Sequence, residues 1–250
     1  MAAVQIFANP DALLDVAADI VISHATVSTA ARGRFTLALS GGATPQGLYR
    51  RLATGPGRHG IDWSRVHLFW GDERCVPPAD PESNYRMVRE ALIDHVVIPP
   101  AQVHRIHGEE VPNLAAARCD AHLHAALTPS AGAGAGVLDL VLLGLGADGH
   151  TASLFPGMTA PRETTRWVLA ERIDDARGWR ITLTPPLLNA ARAIVFLVAG
   201  LDKADVLAAV LEGPAMPDTL PAQRIVGEAG KVRWMVDRAA ASRLAGTAPH

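Results

Sequence analysis

Lysine is nearly missing from this 250-residue chain: Lys203 and Lys231 are its only two, and arginine carries almost all the positive charge. Charge of both signs is balanced, at a formal −2, so no basic field marks a groove for nucleic acid or a face for anionic lipid. Aromatic residues, at 5%, are too few for a platform on which single-stranded bases stack. The two cysteines, Cys75 and Cys119, stand far apart and form no CxxC, which argues against a disulfide framework or zinc knuckle and for a reduced, cytoplasmic chain. No HExxH is present, and the histidine spacing predicts no metal centre. The opening MAAVQIFANPDALL has neither a basic first segment nor a long apolar core, so no signal peptide is expected. Nor does any uninterrupted apolar run reach the roughly 20 residues that a membrane span needs.

What is present is an alternation of short apolar runs with longer amphipathic ones. The runs predict strands at Val4–Phe7, Phe35–Leu39, Val66–Trp70, Val103–Ile106, Leu138–Leu143, Trp167–Ala170, Ile181–Thr184, Ala193–Ala199 and Val232–Val236. Helices are expected at about 10–31, 45–54, 82–95, 112–127, 186–191, 202–212 and 237–245, several of them opened by Pro or Asp. Strand–helix alternation along the whole length predicts one α/β domain over 1–250, Rossmann-like, with a mostly parallel sheet covered by helices on both faces. The low-complexity SAGAGAG at 130–136 reads as a surface loop, and AASRLAGTAPH at the end as a frayed tail.

In such a sheet ligands collect beyond the carboxyl ends of the strands. Four of these ends carry polar or glycine-rich chemistry: SGGATP (40–45), GDERC (71–75), GLGADGH (144–150) and GLDK (200–203). The third contains a literal GxGxxG. A dinucleotide fingerprint also needs a helix immediately after the glycines, and here Pro156, Gly157 and Pro161 break any such helix. Asp148 would in addition set a carboxylate where the pyrophosphate belongs. The loop instead offers flexible backbone around Asp148 and His150, and a histidine so placed can accept a proton near neutral pH.

The other three ends suggest a grip for an anion. Ser40, Gly41, Gly42 and Thr44 precede or open a helix whose free N–H groups face outward, with Pro45 in its first turn. Arg74 offers a fork of donors for phosphate, with Asp72 beside it to orient a neighbour or move protons. Lys203 stands in the first turn of a helix, where a cation is mildly disfavoured unless an anion binds there. Each of these stretches also has a plain structural reading, as a tight turn, a surface ion-pair cluster or a solvated lysine. Cys75 reads as a small buried hydrophobe.

The stretches LALSGGATPQGLY, FWGDERCVPPADPESNYRMVREAL, GLGADGHTASLFPG and RITLTPPLLNAAR resemble, in order and spacing from about 36 to 212, the signature blocks of 6-phosphogluconolactonases, which share a superfamily with glucosamine-6-phosphate isomerases. The resemblance implies a Rossmann-like fold and hydrolysis of 6-phospho-D-glucono-1,5-lactone to 6-phosphogluconate, the second step of the oxidative pentose phosphate pathway. It implies His150 as general base, Asp148 as the residue that positions the histidine or the water, and Arg74 and Lys203 on the 6-phosphate with Gly41, Gly42 and Thr44. Arg180, in the RITLT block, is a weaker candidate because it precedes its expected strand. Isomerases resemble MDEY where this chain has Gly71-Asp72-Glu73-Arg74. They also follow the loop histidine with IAFNEP, whose ring-opening glutamate is replaced here by Phe155. The lactonase branch is therefore expected, without metal or organic cofactor, as a monomer acting on a small sugar-phosphate lactone with no nucleic-acid or membrane partner. A catalytically silent phosphosugar binder of the same fold would be marked by loss of the histidine or arginine, and both are present.

Overall fold

FTLAL, LVLL and IVFLV are buried at every position, the mark of parallel strands covered on both faces. In the computed structural model, which describes residues 3–128, 136–227 and 230–245, they form the centre of a seven-stranded sheet. Its strands are β1 (Ala3–Phe7), β2 (Phe35–Leu39), β3 (Val66–Trp70), β5 (Val103–His104), β6 (Leu140–Leu143), β9 (Ile194–Val198) and β10 (Val232–Asp237). They lie in the order β1-β10-β9-β6-β2-β3-β5, and every pairing is parallel. The flanking helices are α1 (Pro10–Arg32), α2 (Ala43–Leu52), α3 (Gly55–Gly60), α4 (Asn84–Ala91), α5 (Pro112–Leu127), α6 (Pro185–Ala190) and α7 (Ala204–Glu212). The α/β class and the mostly parallel sheet agree with the reading from sequence.

One part of that reading needs correction. The runs expected at Trp167–Ala170 and Ile181–Thr184 do not join the main sheet. As β7 (Val168–Arg172) and β8 (Trp179–Leu183) they build a separate antiparallel sheet with β4 (Asp72–Arg74), in the order β4-β8-β7. β4 is polar and three residues long, so it carries no hydrophobic period to announce it. The helix expected at 237–245 shrinks to a 3₁₀ turn at Ala240–Arg243, and Ala240, Ala241 and Leu244 are buried, so the described part of the supposed frayed tail is packed. Residues 246–250 and most of SAGAGAG lie outside the described residues.

The first helix shows how local chemistry sets an element. Asn9 accepts from Ala12 N at 2.9 Å, Pro10 occupies the first turn, and Gly33 closes the helix at φ 73°. α1 is long and apolar enough to span a bilayer by length and average composition, although it holds no uninterrupted apolar run of that length. Its apolar residues form a stripe, and Leu13, Leu14, Ala17, Val21 and Ala25 bury that stripe in the core.

The chain order places the site. From β2 the strands proceed outward through β3 to β5; the chain then returns to lay β6 on the other side of β2 and continues through β9 to β10. The strand order therefore reverses between β2 and β6, where a crevice opens beyond the carboxyl ends. Asp139, just ahead of β6, fixes this junction from the opposite end. Its carboxylate accepts from Thr36 N at 2.9 Å and pairs with Arg32 at 2.7 Å and Arg192 at 3.3 Å.

Candidate active site

Tyr49 on α2 pins the turn after β2: its hydroxyl accepts from Ser40 N at 2.9 Å and donates to Ser40 O at 2.8 Å. Gly41 follows where no side chain fits, because a Cβ there would stand 2.2 Å from Asn84 Oδ1. α2 then begins after Gly42, with no side chain capping its first turn. At the neighbouring end, Gly71 N donates to Leu39 O at 2.8 Å and leads β3 into β4.

Asp72, Glu73 and Arg74 divide their work by direction. Glu73 is buried, and its carboxylate accepts from Arg74 N, Asn84 N and Tyr85 N at 2.7–2.8 Å and from Ser83 Oγ at 3.1 Å. It therefore ties the start of α4 to β4, while burial pushes its carboxyl above the ordinary value against the pull of those N–H groups. Asp72 turns the other way, accepting from Ser153 Oγ at 2.6 Å and from Asn84 Nδ2 at 3.4 Å. The Arg74 guanidinium donates to Glu82 O and stands across the ladder from Arg180. Arg180 thus lies inside β8, not ahead of it. Burial and the facing Arg74 charge both hold its guanidinium below the ordinary value.

After β6 the chain folds into a tight loop. Gly146 N donates to His150 O at 2.8 Å, Gly149 N to Gly146 O at 3.0 Å, and Thr151 Oγ1 to Gly144 O at 2.8 Å. No helix follows; the next helical turn is Ala160–Arg162, which disposes of the dinucleotide fingerprint. Asp148 accepts from His150 N at 3.2 Å, and its Oδ1 meets His150 Nδ1 in a short contact. The His150 ring packs against Gly146, where a Cβ would stand 2.0 Å from Nδ1 and Cε1, and against the Phe155 ring at 4.2 Å. Burial pushes the Asp148 carboxyl up, but the His150 hydrogen bonds and the Arg177 charge outweigh it and leave it below the ordinary range. With Nδ1 held by Asp148, Nε2 is the ring nitrogen left to exchange a proton with a substrate.

These loops enclose a cleft of about 410 Å³. Ser40, Gly41, Gly42, Asp72, Arg74, His150, Arg180 and Lys203 all line it. Asp148 stands behind His150 and not in the wall, and Thr44, inside α2, is also not among the lining residues. Lys203 ends a 3₁₀ turn just before α7, with its ammonium 3.2 Å from Asp202. Gly200, at φ 106°, makes the turn toward it, with its N–H donating to buried Asp237 at 3.1 Å. Among cleft residues that the sequence reading did not single out, Asn84, Ser153 and Arg177 stand out, and no spacing rule on one segment could have joined them to this site.

Burial pushes the thiols of Cys75 and Cys119 up to about 11 and about 12, so neither is a thiolate near neutral pH. The reading of the histidines passed over one HxH pair, His122 and His124. On α5 they diverge: His122 meets His104 and His124 stacks on Trp167, and among the described residues no three His, Cys, Asp or Glu side chains are arranged to hold a metal ion.

Comparison with known proteins agrees with this architecture. A 6-phosphogluconolactonase of Haemophilus influenzae is 40% identical over 208 residues, 83% of this chain and 87% of its own length. One of Mycobacterium leprae is 39% identical over 249 residues, covering 98% and 99%. The solved structure of 6-phosphogluconolactonase from Trypanosoma brucei superposes with a TM-score of 0.83 at 30% identity, over 98% of this chain and 99% of that one. The profile described as glucosamine-6-phosphate isomerases/6-phosphogluconolactonase matches residues 8–234, every strand end that opens on the cleft included, and the chain belongs to that family.

Proposed function

We propose that this chain hydrolyses 6-phospho-D-glucono-1,5-lactone to 6-phospho-D-gluconate, the hydrolytic step of the oxidative pentose phosphate pathway. The observation that carries the reading is His150 in the cleft wall, with Asp148 behind it on Nδ1 and Phe155 against the imidazole. An apolar ring occupies the place where an isomerase needs a second acid, which leaves a single base suited to activating water.

His150 Nε2 takes a proton from a water molecule as its oxygen attacks the C1 carbonyl. The tetrahedral centre then collapses, the bond from C1 to the ring oxygen breaks, and the proton on Nε2 passes to that oxygen, which becomes the C5 hydroxyl. Asp148 keeps Nδ1 protonated and the ring oriented throughout. General acid–base work of this kind contributes about 10²–10⁴ in rate.

Arg74, Arg180 and Lys203 hold the 6-phosphate, with the Ser40–Gly42 turn presenting backbone to it. Arg74 and Arg180 face each other across a ladder, an arrangement that costs stability with nothing between them and that a dianion relieves. Asp72, fixed by Ser153 and Asn84, faces the sugar.

The test generates the lactone in situ from glucose 6-phosphate and follows its opening against the unaided rate. Acceleration by the wild type, and its loss by about 10²-fold or more in His150→Ala, is the expected result. A wild type no faster than background overturns the reading.

A further inference from the structure

The hairpin between β7 and β8 brings to the cleft a cation that the proposed chemistry has not used. Its tip is closed by its own groups: Asp174 Oδ1 accepts from Arg177 N at 2.6 Å, Gly178 N donates to Asp174 O at 2.9 Å, and Ile173 N to Gly178 O at 3.0 Å. The Arg177 carbonyl accepts from Arg180 Nη1, which ties the tip to β8. From this fixed backbone the Arg177 side chain reaches the β6 loop. Nη1 lies 3.6 Å from Asp148 Oδ2, and the guanidinium carbon lies 4.9 Å from the centre of the Phe155 ring. Asp148 therefore has one oxygen on His150 and the other facing Arg177, and Phe155 has His150 and Arg177 as neighbours.

We propose that Arg177 is a positioning residue of this site. By holding the second oxygen of Asp148 and covering Phe155, it fixes the His150 imidazole with Nε2 turned toward the lactone carbonyl. A carboxylate held through one oxygen alone can rotate about its last bond and carry the imidazole with it. Held through both, it cannot. A misplaced base costs rate and not substrate affinity, because the phosphate grip is elsewhere. The charged groups near this contact are Asp148 and His150 on the loop and Asp174 on the hairpin, which stands 3.7 Å from Arg177 Nε. The inference rests on the lactonase reading for its kinetic part and on geometry alone for the contact.

The experiment compares wild type, Arg177→Gln and Arg177→Lys. Lactone hydrolysis is followed across pH, and the Asp148 carboxyl carbon is titrated by NMR. In Arg177→Gln, kcat is expected to fall about tenfold with KM within about twofold, and the acid limb of kcat/KM to move to higher pH. The lysine variant, which keeps the charge, should recover most of the loss. The carboxyl titration should move upward in the glutamine variant, because a cation that favours the ionised form has gone. An unchanged kcat overturns the proposal, as does a loss carried by KM, which would make Arg177 a substrate contact. An unmoved carboxyl titration overturns the contact itself, whatever the activity. If the wild type does not hydrolyse the lactone, the reading of function falls while the titration still decides Arg177.

Discussion

Ser153 Oγ donates to Asp72 Oδ2 at 2.6 Å across 81 residues of sequence, joining the loop after β6 to the strand after β3. Both side chains are buried, and Ser153 N in turn donates to Thr182 on β8 at 3.2 Å. These two bonds lock the histidine loop to β4 and β8 of the second sheet, as a single wall. Ser153→Ala leaves a buried carboxylate oxygen without its donor, which costs about 1–3 kcal/mol. A lower melting temperature is expected, together with reduced turnover, since Asp72 loses its fixed orientation. Calorimetry and steady-state kinetics on the same preparation check both; an unaffected kcat would separate Asp72 from the chemistry.

Gly146 and His150 make a second test. A methyl group at Gly146 would occupy space that the His150 ring now fills, 2.0 Å from Nδ1. Gly146→Ala should therefore approach His150→Ala in lost activity while product still binds, because the arginines of the phosphate grip are untouched. Isothermal titration with 6-phosphogluconate measures the binding arm.

Arg74 and Arg180 should divide from the catalytic pair in kinetics. Neutral variants, Arg74→Met and Arg180→Met, are expected to raise KM by about tenfold or more, since a hydrogen bond to a charged group contributes about 1.5–3 kcal/mol. The single Arg180 variant should also be the less destabilised, because it removes a guanidinium that burial first, and then the Arg74 charge, hold below its ordinary value. Urea unfolding ranks the two without substrate present.

Away from the cleft, three imidazoles form a chain, His67 Nδ1 to His104 Nε2 at 3.0 Å and His104 Nδ1 to His122 Nε2 at 2.8 Å. Burial first, and then His122, His67 and Arg34, lower His104 to about 4. A folded value below the free value of about 6.5 means that the fold favours the neutral ring. Its contribution is complete above pH 6.5 and is lost progressively as pH falls toward 4. Solvent screening of a half-exposed ring keeps the effect to about 1 kcal/mol. Urea midpoints between pH 7.5 and 4.5 should decline in the wild type and decline less steeply in His104→Gln.

The central strands β2, β6 and β9 were legible because burial on both faces leaves an unbroken apolar run. The four polar strand ends were legible because a parallel sheet sends its ligands to them. The separate sheet was not: Asp72–Arg74 is short and charged, and it becomes a strand only because Arg180 and Thr182 lie opposite to pair with it. Asn84 lies within one of the signature blocks yet bears no local mark of a site residue, since only folding carries it to within reach of Asp72 and against Gly41. Arg177 carried no signal at all among the charges of its hairpin.

Local sequence alone determined which segments are extended, which are helical, where the chain must turn, and that a histidine beside an aspartate would end a strand among glycines. These depend on periodicity and on backbone preferences a few residues long. Tertiary structure alone decided which oxygen of Asp148 faces which partner, that Arg74 and Arg180 stand opposed, and that Ser153 completes Asp72. Those relationships join residues many positions apart, and their geometry comes from the strand order reversing between β2 and β6, which no local pattern encodes.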